Sequence, residues 1–455
     1  MATCRAISLW NVLFNEKNNS ERVMKYYSTN HNTPEVDLRE AVVHGLAPDK
    51  GLYMPERIER LPEDFYRQIA TMSFQQIACR VADAFFGEDV EHDALERIVC
   101  DTLNFETPIV QVDPNIWSLE LFHGPTLAFK DVGARFMARM LSYFIGRSKE
   151  RVTVLVATSG DTGSAVANGF LGVEGIDVVV LYPKGKVSEI QEKQFTTLGR
   201  NITALEIDGT FDDCQRLVKS AFLDEELNRK FRLTSANSIN VARFLPQAFY
   251  YFNAYAQLRR AGEQRDVVVC VPSGNFGNIT AGLFAKRMGL PIKRFIAANN
   301  SNDIFLQYLT TGVYTPRPSV QTLANAMDVG DPSNFVRILD LYGHQIDAIR
   351  ADISGARFSD DQIRQIIADT LQRTGYLLDP HGACGYEALR QGIAENEAGI
   401  FLETAHPAKF KDRVEPIIGR EVEVPARLAE FMKGKKLSIE LSSDFGDFKS
   451  YLMKR

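Results

Sequence analysis

The chain has 455 residues, a formal net charge of −6 and a hydrophobic content of 45%, the composition of an ordinary globular protein. Its length exceeds what one hydrophobic core usually organises, so two or three domains are expected. Lysines and arginines are scattered, which leaves no electrostatic footprint for nucleic acid, and no apolar run reaches the ~18 residues of a membrane helix.

Residues 1–23 differ from the rest of the chain. They hold Ile7, Leu9, Trp10, Val12, Leu13 and Phe14 and then a polar run from Asn15 to Arg22. A secretory signal needs a basic start, a longer apolar stretch and a small-residue cleavage site. The segment reads as a disordered extension, with Met24 a plausible true start. Residues 24–115 read as a mostly helical domain. Within it, Ala47 to Pro55 is turn-rich, and Phe74, Ile77, Ala78, Val81 and Phe85 form one face of a helix over Phe74 to Phe86.

From residue 116 to about 430, short β-branched runs alternate with helical patterns. Strands are expected at Val152 to Ala157, Ile176 to Tyr182, Ile202 to Ile207, Asp266 to Pro272, Arg294 to Ala298 and Gly399 to Glu403. Helices are expected at Ser164 to Val173, Ser188 to Leu198, Asp212 to Leu223 and Ile279 to Met288. That alternation implies an α/β protein with parallel sheets covered on both faces. Residues 431–455 are charged and read as a surface tail. The six cysteines, Cys4, Cys79, Cys100, Cys214, Cys270 and Cys384, show no CxxC pair and no metal-ligand spacing. They read as reduced thiols in a cytoplasmic protein without a metal site.

Ligands of open α/β sheets bind beyond the carboxyl ends of the strands, so the loops there carry the chemistry. Thr158-Ser159-Gly160-Asp161-Thr162-Gly163 follows the first strand. Its glycines and hydroxyls either bind an anion on exposed N–H groups or simply cap the next helix. Ser273-Gly274-Asn275-Phe276-Gly277-Asn278 is either a phosphate cradle or a tight turn; it matches neither a Walker loop nor GxGxxG. In the loop from Glu403 to Lys409, Thr404 offers a hydroxyl at a strand end. His406 reads as a capping or packing residue. Lys130 stands among Leu127, Ala128, Phe129 and Val132. An apolar setting lowers a lysine pKa and makes the amine nucleophilic, as Schiff-base formation requires; the alternative is a solvated surface lysine.

Taken together and in order, these pieces resemble the threonine synthases, pyridoxal-phosphate (PLP) enzymes of the tryptophan-synthase-β type. The resemblance spans residues 24 to 430. It rests on Tyr27-Ser28-Thr29, Gly45 to Asp49, Gly51 to Pro55, His123 to Thr126, Ala128 to Asp131, Thr158 to Gly163, Ser273 to Asn278 and Thr404 to Lys409. The long segment before the lysine motif is similar to the bacterial and fungal branch. The resemblance implies PLP fold type II, with two α/β subdomains of open, mostly parallel sheets and an added N-terminal domain. It implies that Lys130 holds PLP as a Schiff base, that Gly274, Asn275, Phe276, Gly277 and Asn278 grip its phosphate, and that Thr404 meets its ring nitrogen. Thr158, Ser159, Asp161 and Thr162 would receive the amino-acid end of O-phospho-L-homoserine.

The substrate phosphate needs a cationic site. Lys184, Lys186, Asn240 and Arg243 are the candidates, and Asn240 with Arg243 is preferred. His381 and the segment Ala326 to Pro332 are placed at the pocket rim without a role. The alternatives are a phospholyase releasing 2-oxobutyrate, a serine/threonine dehydratase and a non-catalytic α/β protein. The expected partner is a small-molecule substrate, with no nucleic acid or membrane, in a monomer or homodimer.

Overall fold

The computed structural model describes residues 23–146 and 151–455. The extension expected up to residue 23, like Cys4, lies almost entirely outside the described residues. Met24 is already buried, and Tyr26–Ser28 pairs antiparallel with Tyr53–Pro55.

Two larger sheets organise the rest. The first has six strands in the order Ile353–Arg357, Ile292–Asn299, Asp266–Pro272, Glu397–Glu403, Ile116–Glu120 and Ile109–Asp113. All neighbours are parallel except the last pair, which forms an antiparallel edge. The second sheet has five strands, all parallel, in the order Ile439–Ser442, Ile202–Asp208, Ile176–Pro183, Val152–Ala157 and Arg232–Ser235. The apolar residues of Val152–Ala157 and Ile176–Pro183 are buried throughout, as parallel strands between helical layers require. This is the open, mostly parallel α/β fold that the alternation of runs implies.

The N-terminal residues are largely helical, with Ser73 closing a capping box on the amphipathic helix Phe74–Phe86. They build no core of their own. One cluster of buried side chains runs from Met24, Tyr26 and Phe86 through the aromatic helix Ala248–Arg260 to Val154 and Val269 in both sheets. The charged segment 431–455 is more than a surface tail. Its strand Ile439–Ser442 closes one edge of the second sheet, and Phe448 and Leu452 of the helix Phe445–Met453 are buried against it. Cys214, Cys270 and Cys384 are buried free thiols. Among the described residues, no helix is long and apolar enough to cross a membrane, and no group of His, Cys, Asp and Glu is placed to hold a metal ion.

Candidate active site

The parallel register sets Glu403 beside Glu120 and Phe401 beside Cys270. The strands ending at Glu120, Pro272 and Glu403 therefore release their loops from one edge of the first sheet. The loop after Glu120 runs back antiparallel to the one after Glu403. Ala128 bridges Ala405, the Phe129 N–H donates to Thr404 O at 2.8 Å, and the His406 N–H donates to Leu127 O at 3.1 Å. This local pairing fixes Thr404 next to Phe129, one residue from Lys130 at the start of the helix Lys130–Gly146. Asp131 holds the turn by accepting from the Thr126 N–H and hydroxyl at 2.8 and 2.6 Å. Leu127 adopts a left-handed backbone, with φ of 55°, a costly conformation for a branched residue.

Lys130 is half-buried, and its Nζ lies 5.0 Å from the centre of the Phe129 ring. Burial lowers its pKa to about 8; Arg243 and Lys409 push the same way, and Asp161 opposes them. The apolar setting read from sequence thus has its expected effect, because desolvation outweighs the nearest carboxylate.

Asp161 comes from the second sheet and is pinned. Lys409 Nζ stands 2.6 Å from its Oδ1, with both side chains almost fully buried, and Gln191 Nε2 donates to the same oxygen at 2.8 Å. Burial alone would raise this carboxyl, but Lys409 and then Lys130 outweigh it and hold it down at about 2. Lys409 also donates to Thr126 O at 2.9 Å. This ion pair ties the two sheets together beside Lys130, and the sequence reading assigned Lys409 no such part.

The other members of that loop divide by task. Thr158 is buried, and its Oγ1 accepts from the Gly160 and Gly163 N–H groups at 2.9 and 2.8 Å, so its hydroxyl shapes the turn. Ser159 and Thr162 are half-buried, and neither hydroxyl makes a hydrogen bond among the described residues.

The Ser273 to Asn278 turn ends the central strand of the first sheet. Phe276 is left-handed with φ of 61°, its ring buried against Phe305, and a helix begins at Gly277. Two glycines are required by close approach. A Cβ on Gly274 would stand 2.6 Å from Ala326 O, and one on Gly277 would stand 2.8 Å from Ser238 Cβ. Among the described residues no protein acceptor meets the backbone N–H groups of residues 274–278. Unpaired donors at a helix start form an anion cradle. Asn278 is anchored by Tyr251, whose hydroxyl donates to its Oδ1 at 2.8 Å, while its buried Nδ2 has no partner.

Asn240 and Arg243 have different fates. Asn240 is fully buried and caps its own helix through Oδ1, accepting from the Ala242 N–H at 3.0 Å, while its Nδ2 donates to Val42 O at 2.8 Å. Its Oδ1 and one of its two amide N–H groups are committed to structure, which gives Asn240 a capping role. Arg243 is buried, its Nε donating to Ala236 O at 3.2 Å, and its Nη1 has no partner among the described residues. That nitrogen lies against Gly133, one turn beyond Lys130, where a Cβ would come within 2.3 Å. Lys184 is exposed and pairs with Glu440 at 2.7 Å.

His381 is not at a rim. It is buried, its Nε2 accepts from the Ala326 N–H at 3.2 Å, and its Nδ1 therefore donates to Asp379 at 2.5 Å. The Asp379 N–H donates to Glu403 Oε1 at 3.1 Å. Glu403 is fully buried with Oε2 unpaired, and burial followed by repulsion from Asp379 raises its pKa well above the usual carboxylate range. A protonated Glu403 beside an ionised Asp379 is the arrangement low dielectric favours. His406 accepts from the Ala408 N–H through Nδ1 at 3.1 Å, and burial lowers its pKa to about 4, which fits a capping residue.

PLP suits what these residues offer: a lysine amine whose pKa burial lowers, an anion cradle, a strand-end threonine paired through its backbone to the residue before the lysine, and a buried guanidinium with one free nitrogen. The comparisons agree. Residues 101–402 match the family described as pyridoxal-phosphate dependent enzyme, 25–103 the threonine synthase N terminus and 382–452 the threonine synthase C-terminal family. Threonine synthase from Serratia marcescens is 44% identical over 94% of this chain and 99% of its own. The one from Haemophilus influenzae is 45% identical over 95% and 100%. Among solved structures, Escherichia coli threonine synthase superposes with a TM-score of 0.89 at 43% identity, covering 95% of this chain and all of that one. The PLP-bound enzyme from Brucella melitensis also superposes at 0.89, with 38% identity over 95% of this chain and 99% of that one. With three family matches that together run from residue 25 to residue 452, and similarity along nearly its whole length, the chain belongs to the threonine synthase family of PLP-dependent lyases.

Proposed function

We propose that this enzyme converts O-phospho-L-homoserine and water to L-threonine and inorganic phosphate in the cytoplasm. The observation that carries this reading is the convergence of Lys130, Asp161 and Arg243. A neutral-capable amine lies within electrostatic reach of a fixed carboxylate and of a buried guanidinium whose Nη1 has no partner among the described residues.

PLP bound here would supply the electron sink for carbanion chemistry at the substrate Cα and Cβ. The Gly274 to Asn278 N–H groups would hold its phosphate, and the Thr404 hydroxyl would meet its ring nitrogen without imposing a charge. Lys130 Nζ, its pKa lowered to about 8 so that a useful fraction is neutral near physiological pH, takes the proton from substrate Cα and returns one later. Asp161, unable to protonate, keeps a negative charge beside that amine and so limits how far burial lowers its basicity. Ser159 and Thr162 offer free hydroxyls to the substrate carboxylate, and Thr158 holds their loop in shape. Arg243 Nη1 gives the substrate phosphate a charged donor, which serves both to bind it and to ease its departure. Residues 24–115 act as an N-terminal domain on a catalytic region spanning 116–430, in a monomer or homodimer.

The decisive experiment incubates the PLP-loaded enzyme with O-phospho-L-homoserine and identifies the products. Threonine and phosphate in equal amounts are expected; 2-oxobutyrate in place of threonine would refute the assignment and mark a phospholyase.

A further inference from the structure

Arg337, in the helix Phe335–Leu341, is fully buried and has no carboxylate partner among the described residues. Its Nε and Nη2 donate to Tyr53 O at 3.3 and 3.0 Å, and Nη2 also donates to Ile239 O at 2.6 Å. Its Nη1 donates to Ser238 O at 2.9 Å and to Asn334 Oδ1 at 2.6 Å. The Phe244 ring centre lies 4.0 Å from the guanidinium carbon. Every acceptor is neutral. Burial lowers the guanidinium pKa to about 9, which still leaves it charged at neutral pH. A buried charge answered only by dipoles is costly to keep.

The contacts say where that charge acts. Asn334, held by Arg337, donates through Nδ2 to Asn275 O at 3.0 Å and to Ser238 Oγ at 2.9 Å, and its backbone N–H donates to Asn275 O at 3.1 Å. Asn275 lies inside the turn whose N–H groups are unpaired. Gly277 of that turn packs against Ser238. Arg337 thus stands one side chain behind the cradle, on the same framework that leads from Ser238 to Arg243.

We propose that Arg337 is a positioning residue for the phosphate turn: its uncompensated charge, acting through the Asn334 amide and the Ser238 and Ile239 carbonyls, aims the Gly274 to Asn278 N–H groups at a phosphate dianion, which supplies the missing counter-charge. This rests on the reading that the turn holds the cofactor phosphate.

The test titrates cofactor-free protein with pyridoxal phosphate and with pyridoxal, which lacks the phosphate, and compares the two dissociation constants. In Arg337→Met the preference for the phosphorylated form should fall about 10- to 100-fold, the range of a charge-assisted bond. Arg337→Lys, which keeps the charge but loses the planar fork, should recover part of it. Gly277→Ala tests the underlying reading and should also erase the preference. If Gly277→Ala erases it and Arg337→Met does not, the role of Arg337 is overturned and the cradle stands; if neither does, the cradle reading falls as well. Should Arg337→Met fail to fold, Asn334→Asp and Asn334→Leu separate charge from packing. Both lose the amide donors, but only the aspartate neutralises the guanidinium, so it should lower the preference further, and equal losses would overturn the proposal.

Discussion

Replacing Lys130 with methionine should abolish catalysis and yet stabilise the cofactor-free protein. The amine pKa falls from 10.5 to about 8 in the folded chain. A gap of about 2.5 units corresponds to about 3 kcal/mol of penalty on the charged form, reduced to about 1–3 kcal/mol by solvent on the open side of a half-buried group. The sign follows from linkage. Because the folded value lies below the unfolded one, the folded state binds fewer protons in the window between them. The penalty is complete below pH ~8 and fades as pH rises towards ~10.5, where the amine is neutral in both states. Methionine has similar length and no charge, so the variant escapes the penalty at every pH. Urea unfolding of both cofactor-free proteins at pH ~7, ~8.5 and ~10 reads the effect, with the advantage largest at the lowest pH and nearly gone at the highest. A variant no more stable than wild type at neutral pH, or an advantage that does not shrink on alkalinisation, would refute the claim that burial tunes this amine.

Other changes test the remaining parts. Arg243→Ala should raise KM for O-phospho-L-homoserine about 10- to 100-fold, the worth of one charge-assisted bond, and steady-state kinetics with an unchanged KM would remove it from the site. Lys409→Met strands a buried Asp161 without its partner at 2.6 Å. It should cost about 3–5 kcal/mol of stability, and adding Asp161→Asn should recover most of that in urea unfolding. Glu403→Gln should unfold within about 1 kcal/mol of wild type near neutral pH, because the acid it replaces is already protonated. Since the folded Glu403 pKa is raised, wild type loses stability as pH climbs past the unfolded carboxyl range, and the amide variant should not. A much less stable Glu403→Gln in thermal melts would mean that the carboxyl is ionised.

Much of the frame is legible in the sequence. The strands Val152–Ala157 and Asp266–Pro272 and the helix Phe74–Phe86 fall where their apolar patterns place them. In the two larger sheets, the strands without an advance signal are Ile109–Asp113, Ile116–Glu120, Arg232–Ser235, Ile353–Arg357 and Ile439–Ser442. All are short, and most lie at or next to a sheet edge, where a partner's hydrogen bonds rather than a continuous apolar run decide the conformation. The helix after the glycine turn starts at Gly277, two residues before the apolar pattern does, because Gly277 and Asn278 carry no hydrophobic signal. The loops that bear chemistry were readable because their residue types are themselves the chemistry. Which polar atoms remain free was not. Thr158 and Asn240 turn their side chains to local structure, whereas Arg243 keeps a nitrogen unpaired. Lys409, Arg337 and the Asp379–Glu403 pair act through partners up to hundreds of residues away, and no local pattern encodes those contacts.

The strand Ile439–Ser442 has a consequence for how the molecule is made. It pairs with Ile202–Asp208, more than two hundred residues upstream, while Glu397–Glu403 wedges between Asp266–Pro272 and Ile116–Glu120 in the other sheet. The first sheet cannot be finished before Glu403 has been made, nor the second before Ser442. A nascent chain must hold unzipped, apolar ribbons in waiting, which are open to self-association. Chains that stop before Ile439 should therefore yield insoluble protein rather than a shortened enzyme.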